Sequence, residues 1–253
     1  QAGSLKEIER GDIRFEHVSF SYDGKRDVLK DISFEVKNGQ TIAFVGHTGS
    51  GKSSIINLFM RFYEFDRGRI LIDGQDIKDY SQEALRRSIG LVLQEPFLYH
   101  GTIASNIRMY HEELTDEEIR QAAAFVDVAD FIESLPGGYD HPVTERGSTL
   151  STGQRQLLAF ARTIAAQPKI LILDEATANI DQETEEMIQN SLKKMRQGRT
   201  TIAIAHRLST IQDADCIYVL DKGKIIESGN HDQLIALGGT YKKMYDLQAG
   251  MMK

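Results

Sequence analysis

The chain has 253 residues, of which 41% are hydrophobic, and its formal net charge at pH 7 is −7. This length supports one large domain with its own core, and the acidic charge argues against a dominant nucleic-acid-binding surface, because such surfaces neutralise phosphates with Lys and Arg. No apolar run approaches the roughly 20 residues needed to cross a bilayer, so we expect this chain not to span a membrane. Cys216, the single cysteine, excludes an internal disulfide and a thiolate zinc cluster and fits a reducing compartment.

The N-terminal part predicts a small antiparallel sheet. The first ten residues are polar and charged and are predicted to be a linker. Beyond them, apolar and polar residues alternate with the period of half-buried strands, and the Asp23-Gly24 pair is typical of a turn. The alternating apolar positions are Ile13, Phe15, Val18, Phe20, Ile32, Phe34 and Val36.

Three apolar runs further along the chain are typical of buried strands, and the last two end in polar residues. The run over 41–45 leads into a glycine-rich turn and then a stretch, 53–62, with helical spacing. The run over 170–173 ends in Asp174-Glu175, and the run over 200–205 ends in His206. This order predicts an α/β core with a site at the carboxyl ends of its strands.

A helical region separates these runs. Thr115 and Glu118 fit a capping box, and the apolar residues after them share one helical face. We predict an inserted helical subdomain at approximately 95–165. The tail is predicted to return to strand at 216–220 and 224–227 and to end in helix from about His231.

The segment Gly46–Ser53 matches the phosphate-binding loop pattern G-x-x-x-x-G-K-[ST], placed between a strand and a helix as that pattern requires. Its glycines let backbone N–H groups converge on phosphates at the positive end of the following helix. Lys52 is predicted to neutralise the β- and γ-phosphates of ATP, and Ser53 to coordinate Mg²⁺. A plain glycine-rich turn is the alternative. The nucleotide-binding residues predicted here are Gly46, His47, Thr48, Gly49, Ser50, Gly51, Lys52, Ser53 and Ser54.

The pair Asp174-Glu175 is the acidic counterpart expected beside such a loop. Asp174 is predicted to hold the metal through water, and Glu175 to polarise the attacking water as general base. The alternative is an acidic helix N-terminus that only suits the helix dipole.

The segment Leu150–Gln154, Leu-Ser-Thr-Gly-Gln, resembles the signature of ABC ATPases, usually Leu-Ser-Gly-Gly-Gln. The loop, the signature and the acidic strand end occur in the order of that family, and the resemblance covers about residues 11–245. It looks closest to the nucleotide-binding domains of ABC exporters. The resemblance implies an α/β fold over 11–253, with a P-loop NTPase core of mixed or parallel sheet, an N-terminal antiparallel β subdomain and an inserted α-helical signature subdomain.

The resemblance also implies roles for single residues. Ser151, Gly153 and Gln154 would reach a nucleotide held by a second nucleotide-binding domain, although Ser151-x-x-Gln154 is also an ordinary capping box. Tyr22 would stack on adenine; the alternative is a partly buried strand tyrosine.

Two further matches concern catalysis. Gln94 would touch Mg²⁺ and the attacking water, against a solvated loop glutamine as the alternative. His206 would contact the γ-phosphate, against a structural histidine that caps a strand.

Two loops resemble less specific features of the ABC exporter family. Asp181 matches the end of the dimer-contact loop, although Ala-Asn-Ile-Asp replaces the common Ser-Ala-Leu-Asp. Glu145-Arg146-Gly147 resembles the exporter loop that senses the membrane-spanning partner; an exposed charged loop is the alternative.

By resemblance the chain is an ATPase at the cytoplasmic face of the cell membrane, bound to the transmembrane domain of an exporter. Thr152 replaces a signature glycine while Glu175 is intact, which favours one half of a heterodimeric exporter over a homodimer without deciding between them. Two other hypotheses are a soluble ABC ATPase that acts on nucleic acid or ribosomes and a nucleotide sensor without hydrolysis.

Overall fold

The computed structural model of the chain describes residues 3–5, 7–47, 49–93, 95–109, 111–144, 149–175 and 182–250. The strands are β1 (Ile13–Phe20), β2 (Leu29–Val36), β3 (Thr41–Val45), β4 (Arg67–Ile72), β5 (Gln75–Asp76), β6 (Ile89–Val92), β7 (Gly101–Thr102), β8 (Pro142–Val143), β9 (Ile170–Asp174), β10 (Thr200–Ile204), β11 (Cys216–Asp221) and β12 (Lys224–Gly229). The helices are α1 (Lys52–Phe59), α2 (Gln82–Ser88), α3 (Ile103–Arg108), α4 (Asp116–Phe125), α5 (Ala129–Ser134), α6 (Thr152–Ala165), α7 (Gln182–Arg196), α8 (His231–Leu237) and α9 (Thr240–Gln248).

The chain divides into two compact units. The first comprises residues up to 89, residues 169–173 and residues from 198 onward, and the second comprises 90–168 and 174–197. Among the described residues, no helix combines the length and the apolar character that crossing a membrane requires.

The first unit contains an antiparallel sheet with strand order β2-β1-β4-β5. Strand β1 pairs with β2 and β4, and its register shifts between Phe15 and Val18. His17, inside this irregularity, has a φ of 50°, which accounts for the change of phase in the apolar pattern of β1. Gly68 of β4 faces this bulge, because a Cβ there would lie 2.4 Å from the carbonyl oxygen of His17.

The first unit also contains a mixed sheet in which β12, β11, β3, β10 and β9 are neighbours in that order. Strand β3 pairs in parallel with both β10 and β11, and β12 joins antiparallel to β11. Phe34 of the antiparallel sheet packs on Phe44 of β3, with ring centroids 5.0 Å apart. Every residue of β3 and of β10 is buried, which explains why both strands consist of apolar residues and threonine with no polar–apolar alternation.

The second unit is mainly helical. Helix α6 packs against α3, α4 and α7, and it buries one face that includes Leu157, Phe160 and Ile164. Helices α4 and α7 are also joined by polar contacts: the Ser191 hydroxyl donates to the Val126 carbonyl at 2.9 Å.

The fold class predicted from the sequence is confirmed, since an antiparallel N-terminal sheet, a mixed sheet and a helical unit are all present. Both predicted capping boxes form, at Thr115 and at Ser151. The boundary of the inserted subdomain stays a prediction.

One predicted helix is too long. Residues 53–62 were expected to be helical, whereas α1 ends at Phe59. Arg61 adopts a φ of 57°, and the Phe62 N–H donates back to the Asn57 carbonyl at 2.9 Å, so a left-handed residue turns the chain out of the helix.

Candidate functional site

The loop between β3 and α1 has the backbone shape that its glycines allow. Gly49 and Gly51 have φ of 81° and 108°, a region that residues with a Cβ rarely adopt. A Cβ on Gly46 would lie 2.4 Å from the Leu220 carbonyl oxygen, so strand β11 leaves no room for a side chain there. The Gly223 N–H donates to the Ser50 carbonyl at 2.9 Å, so the turn between β11 and β12 is hydrogen-bonded to this loop.

The start of α1 fits an anion. Its N-terminus has no side-chain cap and no acidic residue in the first turn, and the N-terminal end of a helix carries a partial positive charge that favours an anion. The Lys52 side chain reaches back across the loop and donates to the Gly46 carbonyl at 2.6 Å. The Ser50 hydroxyl is buried and has no hydrogen-bond partner among the described residues. These groups suit a polyphosphate, and the exposed hydroxyl of Ser53 supplies the kind of oxygen ligand that Mg²⁺ prefers.

Tyr22 lies just after β1 and is held against α1. Its hydroxyl is 2.9 Å from the Ser54 hydroxyl and accepts a hydrogen bond from the Asn57 amide at 2.9 Å. Its ring makes edge contacts with Phe20 and Tyr63, with centroids 4.7 and 4.8 Å away. The residue is 46% exposed, so part of the ring remains available to a planar ligand. Sequence reasoning missed Asn57, although its spacing from Ser54 along α1 places both on one helical face.

His206 comes one residue after Ala205, which extends the line of β10. The Ala205 N–H donates to the Phe44 carbonyl at 3.0 Å, so the chain beyond β10 still runs beside β3. Because β3 and β10 are parallel neighbours, their carboxyl ends meet at one edge of the sheet. The fold therefore brings the phosphate-loop segment and His206, which is exposed, to the same edge of the first unit.

Asp174 is the last residue of β9, and Glu175 follows it directly. Both residues are partly buried. The strand thus ends in the two predicted carboxylates, at the point where the chain leaves the first unit.

The signature segment lies in the second unit, where Ser151 is the N-cap of α6. Its hydroxyl accepts from the Gln154 N–H at 3.1 Å, and the Gln154 side chain accepts from the Ser151 N–H at 2.9 Å. Gly153 is buried, while Ser151 is exposed. Thr152 turns its hydroxyl toward Arg155, which donates to it at 3.3 Å.

Some predicted positions lie outside the described residues, namely Thr48, Gln94, Glu145–Gly147 and Asp181.

Sequence reasoning also missed a polar hub on α6. Arg162 donates to the carbonyl oxygens of Phe97 and Asn106, at 2.9 and 2.8 Å, and to the Asn106 side-chain oxygen at 3.2 Å. Asn106 in turn binds both the N–H and the carbonyl of Tyr99. Arg162 thereby ties the helix that begins at the signature to the loop before α3.

Comparisons with known proteins identify the relatives of this chain. The family model described as ABC transporter matches residues 29–178. "Putative ABC transporter ATP-binding protein exp8" of Streptococcus pneumoniae is 73% identical over 252 residues, which is 100% of this chain and 43% of that protein. "Probable multidrug resistance ABC transporter ATP-binding/permease protein YheH" of Bacillus subtilis is 54% identical over 97% of this chain and 36% of its own length.

A solved structure agrees with these relatives. The structure of a bacterial Atm1-family ABC exporter with ATP bound superposes with a TM-score of 0.90 at 44% identity, over 98% of this chain and 43% of that one. The chain therefore spans less than half the length of each of these three proteins.

Proposed function

The chain belongs to the ABC transporter family, and we propose that it binds Mg²⁺-ATP and hydrolyses ATP to drive export across a membrane. The observation that carries this proposal is the phosphate loop at the strand edge that His206 shares. There the start of α1 has no side-chain cap, the Lys52 ammonium reaches back to Gly46, and the buried Ser50 hydroxyl has no partner within the described part of the chain. These are groups that bind the phosphates of a nucleoside triphosphate.

In this proposal the phosphates and the adenine are bound by residues of the first unit. The loop N–H groups and Lys52 hold the β- and γ-phosphates, and Tyr22 stacks on the adenine with the exposed part of its ring. Ser53 and Asp174 would hold the metal. Mg²⁺, when bound, neutralises charge on the phosphates.

The hydrolytic step needs a base, an orienting group and a stabiliser of charge. Glu175 accepts a proton from the attacking water, and Gln94 orients that water. His206 donates to the γ-phosphate as its charge develops. Closure around the nucleotide would exclude bulk water and strengthen each of these interactions.

The proposal includes two partners. A second nucleotide-binding domain would be bridged through Ser151 and Gly153, and a transmembrane domain would make up the part of the protein that this chain does not span. The Bacillus subtilis relative described as an ATP-binding/permease protein supports the transmembrane partner. The chain would then lie at the cytoplasmic face of the cell membrane, and Thr152 favours a partner that is not a second copy. An acidic net charge of −7 speaks against nucleic acid as a partner.

The test is phosphate release from Mg²⁺-ATP as a function of the concentration of this chain. Glu175→Gln is the key variant, because the amide keeps the shape of the side chain and loses the basic oxygen. We expect ATP binding to persist and turnover to fall by roughly 100-fold or more. Glu183→Gln, an exposed site at the start of α7, is the matched control and should leave turnover unchanged.

The concentration series tests the two-domain arrangement. Activity per molecule that rises with concentration supports composite sites formed by two copies. Binding of ATP without phosphate release supports a different partner half. Equal turnover in Glu175→Gln and the wild type would remove Glu175 from the role of base, and absence of ATP binding would overturn the proposed function as a whole.

A further inference from the structure

The last residue of α9 holds the loop that carries His206. The Gln248 side-chain amide donates to the His206 carbonyl at 2.8 Å, and its carbonyl oxygen accepts from the Leu208 N–H at 2.8 Å. One side chain thus joins an acceptor and a donor of the loop backbone. Because the two partners are a carbonyl and an N–H, they also determine which end of the amide is oxygen and which is nitrogen.

The chemistry of the loop explains why such a contact matters. Beyond Ala205 the chain leaves the line of β10, and Leu208–Thr210 forms a short 3₁₀ turn in which Leu208 is fully buried. Along the chain, His206 lies between the strand and this buried residue, and it is exposed. The Gln248 amide bonds the backbone at both ends of that interval and so restrains the backbone from which the imidazole projects.

The opposite end of α9 is also held by a side chain. Both oxygens of Glu227, on β12, accept from the first N–H groups of the helix: Thr240 donates at 2.6 Å and Tyr241 at 3.0 Å. Tyr241 is fully buried, and its hydroxyl lies 2.7 Å from Nδ1 of His231. The N-terminus of α9 is therefore fixed to β12 by a charge-assisted cap and by packing.

Helix α9 thus spans from β12 to the His206 loop. A helix of nine residues is about 13 Å long. Strand β12 pairs with β11, which pairs with β3, the strand that opens the phosphate loop. Both ends of α9 are attached to parts of the first unit that bear on the nucleotide site.

We propose that Gln248 is a positioning residue for His206, acting through the backbone of residues 206–208, with α9 as a strut whose base is the Glu227 cap. This inference rests on the proposed function for its catalytic consequence, since it is the placement of the imidazole against a γ-phosphate that Gln248 would set. Its structural part, the hold on the loop, does not depend on ATP hydrolysis.

Two variants of the 253-residue chain separate the hydrogen bond to the His206 carbonyl from the one to the Leu208 N–H, and a third is their control. Gln248→Ala removes both. Gln248→Glu keeps an acceptor for the Leu208 N–H, loses the donor to His206 and sets a carboxylate oxygen against a carbonyl oxygen. Leu247→Ala, at an exposed neighbouring position on α9, is the control for a change in this helix alone.

The first measurement is amide hydrogen exchange without nucleotide, followed by mass spectrometry of peptides that cover residues 206–211. We expect exchange at Leu208 to rise about 3- to 10-fold in Gln248→Ala, and to stay within about twofold of the wild type in Gln248→Glu and Leu247→Ala. Unchanged exchange in Gln248→Ala would overturn the hold on the loop, whatever the chain does with ATP.

The second measurement is kcat for phosphate release together with the Kd for ATP and the Tm of each variant. We expect kcat to fall on the order of 10-fold in both Gln248 variants, with the Kd for ATP within about twofold and Tm close to that of Leu247→Ala, because a small misplacement of a catalytic group slows the chemical step more than binding. A kcat equal to that of Leu247→Ala, or a joint loss of kcat, ATP affinity and Tm, would refute the positioning role. A wild-type chain that binds no ATP would refute the proposed function and with it this role, while the exchange result would still decide the hold on the loop.

Discussion

The ammonium group of Lys52 donates a 2.6 Å hydrogen bond to the carbonyl oxygen of Gly46, so the first residue of α1 reaches back to the first residue of the phosphate loop. Lys52 is only 7% exposed. A positive charge is thus held beside the backbone of the loop, at the start of a helix with no acidic residue in its first turn. Phosphate oxygens are stronger acceptors for this ammonium group than the Gly46 carbonyl oxygen, because they carry negative charge.

Lys52→Ala is expected to weaken the binding of ATP by about 10- to 100-fold, because a charge-assisted contact to the phosphates is lost. Titration calorimetry with Mg²⁺-ATP measures the change. Lys52→Arg keeps the charge but replaces a compact ammonium with a planar fork, so we expect it to bind ATP less tightly than the wild type as well. Lys37→Ala, at an exposed position beyond β2, is the control, and an equal loss there would contradict a specific role for Lys52.

Tyr22 separates stacking from hydrogen bonding. Tyr22→Phe loses the contacts to Ser54 and Asn57 but keeps the ring, so the Kd for ATP should change by less than about threefold. Tyr22→Ala removes the ring, and we expect a Kd increase of about 10-fold, since stacking on an aromatic ring contributes about 1–3 kcal/mol per base. Binding of inorganic triphosphate, which has no base, should be the same in all three chains. Equal ATP affinity in Tyr22→Ala and the wild type would show that adenine does not stack there.

Arg162 is expected to stabilise the second unit. Arg162→Ala removes the hydrogen bonds to the carbonyls of Phe97 and Asn106, and we expect the free energy of unfolding to fall by roughly 2–3 kcal/mol. Arg162→Lys should recover only part of this, because a single ammonium cannot reproduce the forked contacts. Guanidinium chloride unfolding measures both. Arg87→Ala, whose partner Glu83 is an exposed carboxylate one turn away on α2, should change stability by less than about 0.5 kcal/mol.

Tyr80 predicts a loss of stability at alkaline pH. Its hydroxyl donates to the Ile72 carbonyl at 2.9 Å, and burial raises the pKa of Tyr80 from 10.0 to about 12, with the charges of Asp73 and Glu9 adding to the effect. The fold therefore favours the neutral phenol. Its contribution is complete below pH 10, the pKa of the unfolded state, and is lost as the pH rises from about 10 to about 12.

Denaturant unfolding at pH 9, 10, 11 and 12 measures this slope, which is at most about 1.4 kcal/mol per pH unit for one tyrosine. Tyr80→Phe has no proton to lose, so its stability should be lower than that of the wild type at pH 9 and should fall less steeply above pH 10. Parallel profiles for the two chains would remove Tyr80 as a source of the alkaline loss.

Local patterns in the sequence determined a large part of this protein. The alternation in β1 and β2, the glycine spacing of Gly46–Gly51 and the capping boxes at Thr115 and Ser151 are each set by backbone conformations that only certain residues allow or reward. The order of strands, loop and signature then predicted the family and the fold class. Patterns of this kind act within one strand or one helical turn, so they can be recognised in the sequence without knowing which distant segment packs against them.

The tertiary structure alone decided which distant residues meet. Gln248 lies 42 residues beyond His206, and Arg162 lies 56 residues beyond Asn106, so neither pair leaves a local pattern in the sequence. The end of α1 at Phe59 likewise follows from a left-handed Arg61, which helical spacing does not reveal. The parallel pairing of β3 with β10 brings the phosphate-loop segment and His206 to one edge of the sheet, because both strands run in the same direction. Since both strands are buried along their whole length, only the residues at their ends are available to bind a ligand.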